Sequence, residues 1–423
     1  KLPETVAAQF VRLGGGSDAH LVVVPTASER ADDVDARDDF LKLWSGFDVA
    51  SLELLHTRDR AVADSESFLK TLQDATAVWF SGGSQSRIAE AYVGTRFEAA
   101  LQGVLDRGGV VGGTSAGAAI QSRLMIASGN PVPELKQGFD LLPGAVIDQH
   151  FLKRDRQPRL EAALAARPGH FGLGIDEGTA IIVQKRLLRV IGESTVTVIL
   201  PAGNGRERSV TRLRTNQPAD LTALRRAARD RASDTPFPPL KPSLPHVENG
   251  SLLIIGGGGM SGEMVRRFIE AAGGPQSHIV ILPVSSETPQ RSGDSMQRML
   301  EQFGARHVSV LPQTQKADIE SDDVLDALRT AGGIWFGGGR QWRFMDAYEG
   351  TAAESLIHDV LRRGGVIGGS SAGASIQAEY MPRGNPLGNA DMMADGYERG
   401  LGFLQGVAID QHFTQRNRHA DLD

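Results

Sequence analysis

Short apolar runs alternate along this chain with longer amphipathic stretches. Leu21–Val24, Ala77–Phe80, Val110–Val111, Ile279–Leu282 and Ile334–Phe336 are rich in valine, isoleucine and aromatic residues, and several are bounded by glycine. Apolar runs of about four residues predict buried parallel strands. The stretches Val34–Trp44, Ala61–Leu72 and Met296–Phe303 carry the spacing of helices. Strands alternating with helices predict an α/β fold, a mostly parallel sheet with helices on both faces. Such sheets bind ligands beyond the carboxyl ends of their strands.

The pattern occurs twice. His20–Pro25 (HLVVVP) matches His278–Pro283 (HIVILP), and Trp79–Thr95 matches Trp335–Thr351. Gly108–Gln121 matches Gly364–Gln377, and Val146–Phe151 (VIDQHF) matches Ala408–Phe413 (AIDQHF). A period of domain size means a tandem of domains and not a solenoid. The expected division is a first copy over residues 1–232, a proline-rich semi-rigid linker over 233–249, and a second copy over 250–423. The second copy opens on an apolar strand, Leu252–Gly256, that the first does not have. The first continues through Gly172–Val183, which has no partner in the second. Both copies therefore read as cut short, and the chain as a fragment of a longer tandem protein.

Composition narrows the chemistry. The 423 residues are 40% apolar and 23% charged, with a net charge of −6. Mild acidity without a basic stripe argues against a nucleic-acid partner. Cysteine is absent, which removes disulfides, thiolate catalysis and cysteine-ligated metals. No apolar run reaches the ~18 residues of a membrane span. Compartment stays open between cytoplasmic and secreted.

Four repeated elements carry candidate chemistry. Gly113-Thr-Ser115-Ala-Gly117 and Gly369-Ser-Ser371-Ala-Gly373 fit G-x-S-x-G between a strand and a helix start. That is the setting of a nucleophile elbow, and the amides of Ala116 and Ala372 stand ready for an oxyanion. A serine that merely caps the helix fits the same letters. Asp148-Gln149-His150 and Asp410-Gln411-His412 place a histidine 35 and 41 residues later, after an apolar run. This histidine is a candidate general base or a structural residue. His20 and His278 also repeat, but they precede their strands and belong at the opposite edge. Ser81-Gly-Gly83-Ser-Gln85 and Gly337-Gly-Gly339-Arg-Gln341 are turns whose amides can complete an oxyanion hole. Last, Arg154, Arg156 and Arg159 follow His150, and Arg416 and Arg418 follow His412, with Asp421 in the third place. Such arginines can fork onto a substrate carboxylate or form a solvated helix face. Gly257-Gly-Gly259-Met-Ser-Gly262 fits a dinucleotide fingerprint, but no acidic residue follows at the required distance.

Together these motifs resemble the cyanophycinase and aspartyl-dipeptidase family of serine peptidases, whose fold is similar to that of class I glutamine amidotransferases. The resemblance covers nearly all of both copies. It is closest to the cyanophycinases, which hydrolyse the aspartate backbone of cyanophycin to β-aspartyl-arginine dipeptides. It implies Ser115 and Ser371 as nucleophiles and His150 and His412 as bases. The oxyanion would lie on Gly83 and Ala116 in the first copy, and on Gly339 and Ala372 in the second. It further implies Gln85, Asp148, Gln149, Arg154, Arg156 and Arg159 as substrate-binding residues, matched by Gln341, Asp410, Gln411, Arg416 and Arg418. Asp421 departs from the pattern; a carboxylate there repels a substrate carboxylate and attracts an arginine. No metal or cofactor is implied. The expected partner is a peptide or cyanophycin-type polymer, and two linked copies suggest an internal pseudo-dimer. A non-catalytic peptide-binding protein is the reading from another class. The resemblance places the acid that orients the histidine in the loop between serine and histidine. Glu134 and Asp140 stand there in the first copy, and Asp391, Asp395 and Glu398 in the second, without matching spacing.

Overall fold

Leu21 and Val23 join one hydrophobic core while Val22 and Val24 join another. This period of two is what a strand imposes, and a strand apolar on both faces needs cover on both. The computed structural model describes residues 2–247 and 249–419 and supplies that cover. In the first unit, β1 (His20–Val24), β2 (Ser51–Leu54), β3 (Ala77–Phe80) and β4 (Val110–Gly113) form a parallel sheet in the order β2-β1-β3-β4. Phe10 and Val11 of the helix Glu4–Leu13 cover one face together with Trp44. Leu69, Leu72, Phe97, Leu101 and Val104, from two other helices, cover the opposite face.

A hairpin follows, β5 (Leu124–Ser128) with β6 (Glu134–Gln137). Next, β7 (Ala145–Gln149) runs parallel to β8 (Phe171–Ile175). The unit then turns antiparallel. β9 (Thr179–Gln184) pairs with β10 (Leu187–Gly192), β8 with β11 (Val196–Leu200), β11 with β12 (Ser209–Leu213), and β10 with β13 (Pro218–Asp220).

The chain divides at Phe237/Pro238, inside the proline-rich segment. The second unit repeats the parallel sheet as β14 (Ser251–Ile255), β15 (His278–Leu282), β16 (His307–Val310), β17 (Gly333–Phe336) and β18 (Val366–Ser370), in the order β14-β18-β17-β15-β16. A short parallel pair, β19 (Ala378–Tyr380) and β20 (Leu404–Ala408), follows. No helix among the described residues is long and apolar enough to cross a membrane.

Two expected helices differ from the sequence pattern. Ala61–Leu72 breaks after Ala63, because Ser65 accepts a hydrogen bond from the Phe68 amide and starts a new helix at Glu66. Val34–Trp44 is mostly tight 3₁₀ turns around a five-residue helix, Arg37–Leu41. Asp35, Asp38 and Asp39 are weak helix formers. Met296–Phe303 lies in a longer helix, Pro289–Gln302.

Candidate active site

Ser115 directly follows the turn that ends β4, with φ 52° and ψ −112°; Ser371 follows β18 with φ 56° and ψ −116°. A non-glycine residue held there costs about 1–3 kcal/mol, and such strain clusters at functional sites. The flanking glycines permit it. A Cβ on Gly117 would run into the carbonyl oxygen of Phe80, and one on Gly373 into that of Phe336. The serine hydroxyl does not cap the following helix in either unit. Ser115 Oγ lies 2.9 Å from His150 Nε2, and Ser371 Oγ 2.9 Å from His412 Nε2.

Both histidines sit one residue beyond a strand or its counterpart, with φ 56° and 54°. Phe151 anchors the first, since its ring is buried over Gly174 in the core beneath. His412 is fixed differently. Its amide donates to the Gly256 carbonyl at 2.7 Å, and its ring packs on Gly257. The glycine-rich run that resembles a dinucleotide fingerprint is thus a wall of the second site. Burial, then the charges of Arg416 and Arg418, push the His412 pKa below the ordinary imidazole value.

The orienting acid is a correction to the sequence reading. His150 Nδ1 lies 2.9 Å from Glu177 Oε1, and Glu177 follows the histidine instead of preceding it. Glu177 sits in the turn after β8, where Lys153 Nζ donates to its other oxygen. The Lys153 hydrogen bond, and then that of His150, hold its pKa below the usual carboxylate range. Glu134 instead accepts from Ser128 Oγ and pairs with Lys136, and Asp140 pairs with Arg123. In the second unit Asp391 accepts from Asn385, and His412 Nδ1 meets no acceptor among the described residues.

The Gly82-Gly83 turn reaches the serine from β3. A Cβ on Gly82 would touch Ser115 Cβ at 3.4 Å, and Gly338 stands likewise at 3.6 Å from Ser371 Cβ. Gly83 and Gly339 have φ 143° and 145° and press on the carbonyls of Ala27 and Ser285. Only glycine fits there. The amides of Gly83 and Ala116, and of Gly339 and Ala372, meet no backbone acceptor among the described residues. They are available to an oxyanion.

The remaining predicted residues divide into two groups. Gln85 and Gln341 are buried, and their amide groups donate to paired backbone carbonyls, of Ile126 and Ala127 and of Pro382 and Arg383. Their donors hold the segment after the serine helix in place. Asp148 is fully buried and accepts from Arg159 and, at 3.3 Å, from Arg156. Arg418 takes the Arg156 place on Asp410, at 2.7 Å. Gln411 accepts from Ser375 and Arg418, whereas Gln149 makes no side-chain hydrogen bond among the described residues. Arg154 and Arg416 are exposed and unpaired among the described residues.

Asp421, at the place of Arg159, lies outside the described residues. Arg383 now occupies the second cationic position on Asp410, with Nε at 3.1 Å and Nη2 at 3.2 Å. It comes from the segment after β19, where the first unit has Ser128. The same buried carboxylate is thus neutralised from a different part of the chain. Breaking such a buried pair is costly. Arg383→Ala is expected to lower the stability of the second unit by about 3 kcal/mol, and Arg159→Ala to do so only in the first. Denaturant unfolding followed separately for each unit checks this.

Among the described residues no cluster of histidine and carboxylate groups is placed to hold a metal. His20 and His278 lie at the first residue of their strands, bonded to Ser51 and to Thr330 and Ser309, at the edge away from the serines.

The model of Peptidase family S51 matches residues 3–191 and 252–422, one match in each unit. The cyanophycinase of Geminocystis herdmanii is 31% identical over 203 residues, which cover 46% of this chain and 74% of that protein. The cyanophycinase of Synechococcus elongatus is 35% identical over 205 residues, covering 46% of this chain and 63% of that protein. Among solved structures, a peptidase from an acI-B1 Actinobacterium is similar at 19% identity and a TM-score of 0.42, over 51% of this chain and 90% of that one.

Proposed function

The chain belongs to peptidase family S51, a family of serine-type peptidases, and on that footing we propose that it hydrolyses peptide bonds at aspartyl residues, with cyanophycin as substrate. The observation that carries this reading is the continuous line Ser115–His150–Glu177, closed by two contacts of 2.9 Å. His150 Nε2 takes the serine proton as Oγ attacks the carbonyl carbon. Glu177 holds Nδ1–H and stabilises the imidazolium that forms. The amides of Ala116 and Gly83 receive the oxyanion. His150 then returns its proton to the leaving amine, and a water molecule activated by the same nitrogen releases the acyl group.

Two features favour an aspartyl-arginine substrate. The relatives named above are cyanophycinases. Arg154, exposed and unpaired among the described residues, stands four residues after the base as a fork for a substrate carboxylate. Incubation of the purified chain with cyanophycin, followed by chromatography of the products, is expected to yield β-aspartyl-arginine. Cleavage of short aspartyl peptides with cyanophycin left intact would favour a dipeptidase instead. Binding of peptides without any cleavage would overturn the enzymatic reading.

A further inference from the structure

Beside Ser371 opens a cleft of about 640 Å³ that the reaction steps above do not use. One wall is the helix Pro289–Gln302. Arg291, Ser295 and Arg298 face the cleft from this helix, at positions i, i+4 and i+7 of one side. Both arginines are exposed, and neither has a hydrogen bond or ion pair among the described residues. The floor is apolar, with Met296, Met299 and Trp335. Two uncompensated guanidinium groups over an apolar floor, continuous with a strained serine, select an extended chain bearing negative charge.

The first unit is built otherwise. Counted from the shared His20 and His278, Asp33 and Phe40 stand at the places of Arg291 and Arg298. Asp33 pairs with Arg30, and Phe40 packs into the core. Arg37 stands at the place of Ser295, so it is the pair of arginines at these two places, and not positive charge on this face, that is particular to the second unit.

We propose that this cleft is a carboxylate-binding subsite, in which Arg291 and Arg298 select acidic peptide residues flanking the bond presented to Ser371. The proposal rests on the reading of the chain as an aspartyl peptidase and gives its second unit a preference of its own. The geometry matches the ligand. Seven helical residues span about 10 Å. An extended chain rises about 3.3 Å per residue, so carboxylates two to four residues apart reach both arginines.

The test is binding, so that it does not depend on turnover. In the full chain carrying Ser115→Ala and Ser371→Ala, a fluorescent aspartate-rich octapeptide is titrated against the same peptide with asparagine for aspartate, and anisotropy is read. The aspartate peptide is expected to bind about tenfold more tightly, with the difference shrinking as salt rises. Arg291→Gln with Arg298→Gln is expected to remove the second unit's share of this difference, leaving what Arg154 supplies in the first, and the double lysine variant to restore most of it. Both positions are exposed and unpaired among the described residues, so the thermal transition of these variants should not move. Equal binding of the aspartate peptide by the parent and the glutamine variant overturns the proposal, as does failure of the parent to bind it. Charge-dependent binding in a chain whose wild type cleaves nothing would uphold the subsite and overturn the catalytic reading.

Discussion

Replacing Ser115 and Ser371 together by alanine is expected to abolish cleavage of an aspartyl peptide, with kcat falling by at least about 10⁴-fold. The single replacements are expected to be unequal. Each unit has its serine within 2.9 Å of a histidine. Among the described residues, only the first has a carboxylate on the far nitrogen of that histidine. Without such a partner the imidazole is free to take the wrong tautomer, and its cationic form is less well stabilised. Losing that group alone lowers kcat by about 10⁴-fold in a serine peptidase. In the 423-residue chain, Ser371→Ala should therefore keep nearly all activity and Ser115→Ala only a trace. Steady-state kinetics of the four proteins, at matched concentration, decide the matter. Equal halves from the single variants would show that His412 is oriented as well as His150. Full activity in the double variant would remove serine from the mechanism.

That asymmetry also explains which parts of the site were legible in the sequence. Comparing the two copies exposes whatever both contain. The elbow serines, the histidines, the paired glycine turns and the Asp148 and Asp410 positions all stand out in this way. The strands were legible too, because runs such as Leu21–Val24 are apolar on both faces and need two cores. Glu177 was hidden for the opposite reason. It lies in Gly172–Val183, beyond the stretch over which the two copies can be compared. The remaining signal was local: an Asp-Glu-Gly turn directly after a buried strand, on the same edge as the histidine. Arg383 was hidden by displacement. The sequence shows Asp421 where the first copy has Arg159, yet it cannot show that a cation from another segment reaches the matching carboxylate. Gln85 and Gln341 read as ligand-binding groups because they follow glycine turns at the site edge. Their amides are taken up by backbone carbonyls, a use that only the path of a later segment reveals.

Glu177→Gln, measured in the Ser371→Ala chain so that the first unit alone reports, is expected to lower kcat by about 10³- to 10⁴-fold with KM little changed. Glutamine keeps the size of the side chain but can present an amide to His150 Nδ1. A donor there favours the tautomer with the proton on Nε2, which cannot accept the serine proton. Substrate contacts lie elsewhere, so the loss should fall on kcat. Lys153 supplies a second, separable readout. Its ammonium is the first cause of the lowered Glu177 pKa, ahead of His150. Removing it by Lys153→Gln lets that pKa rise toward its ordinary value, so Glu177 takes up a proton at higher pH than before. The neutral acid no longer stabilises the imidazolium. The acid limb of the kcat profile should therefore move to higher pH, while kcat well above both pKa values stays close to the parent. A purely structural role for Lys153 would lower kcat at every pH and leave the limb in place. An unchanged kcat in Glu177→Gln would show that another group orients His150.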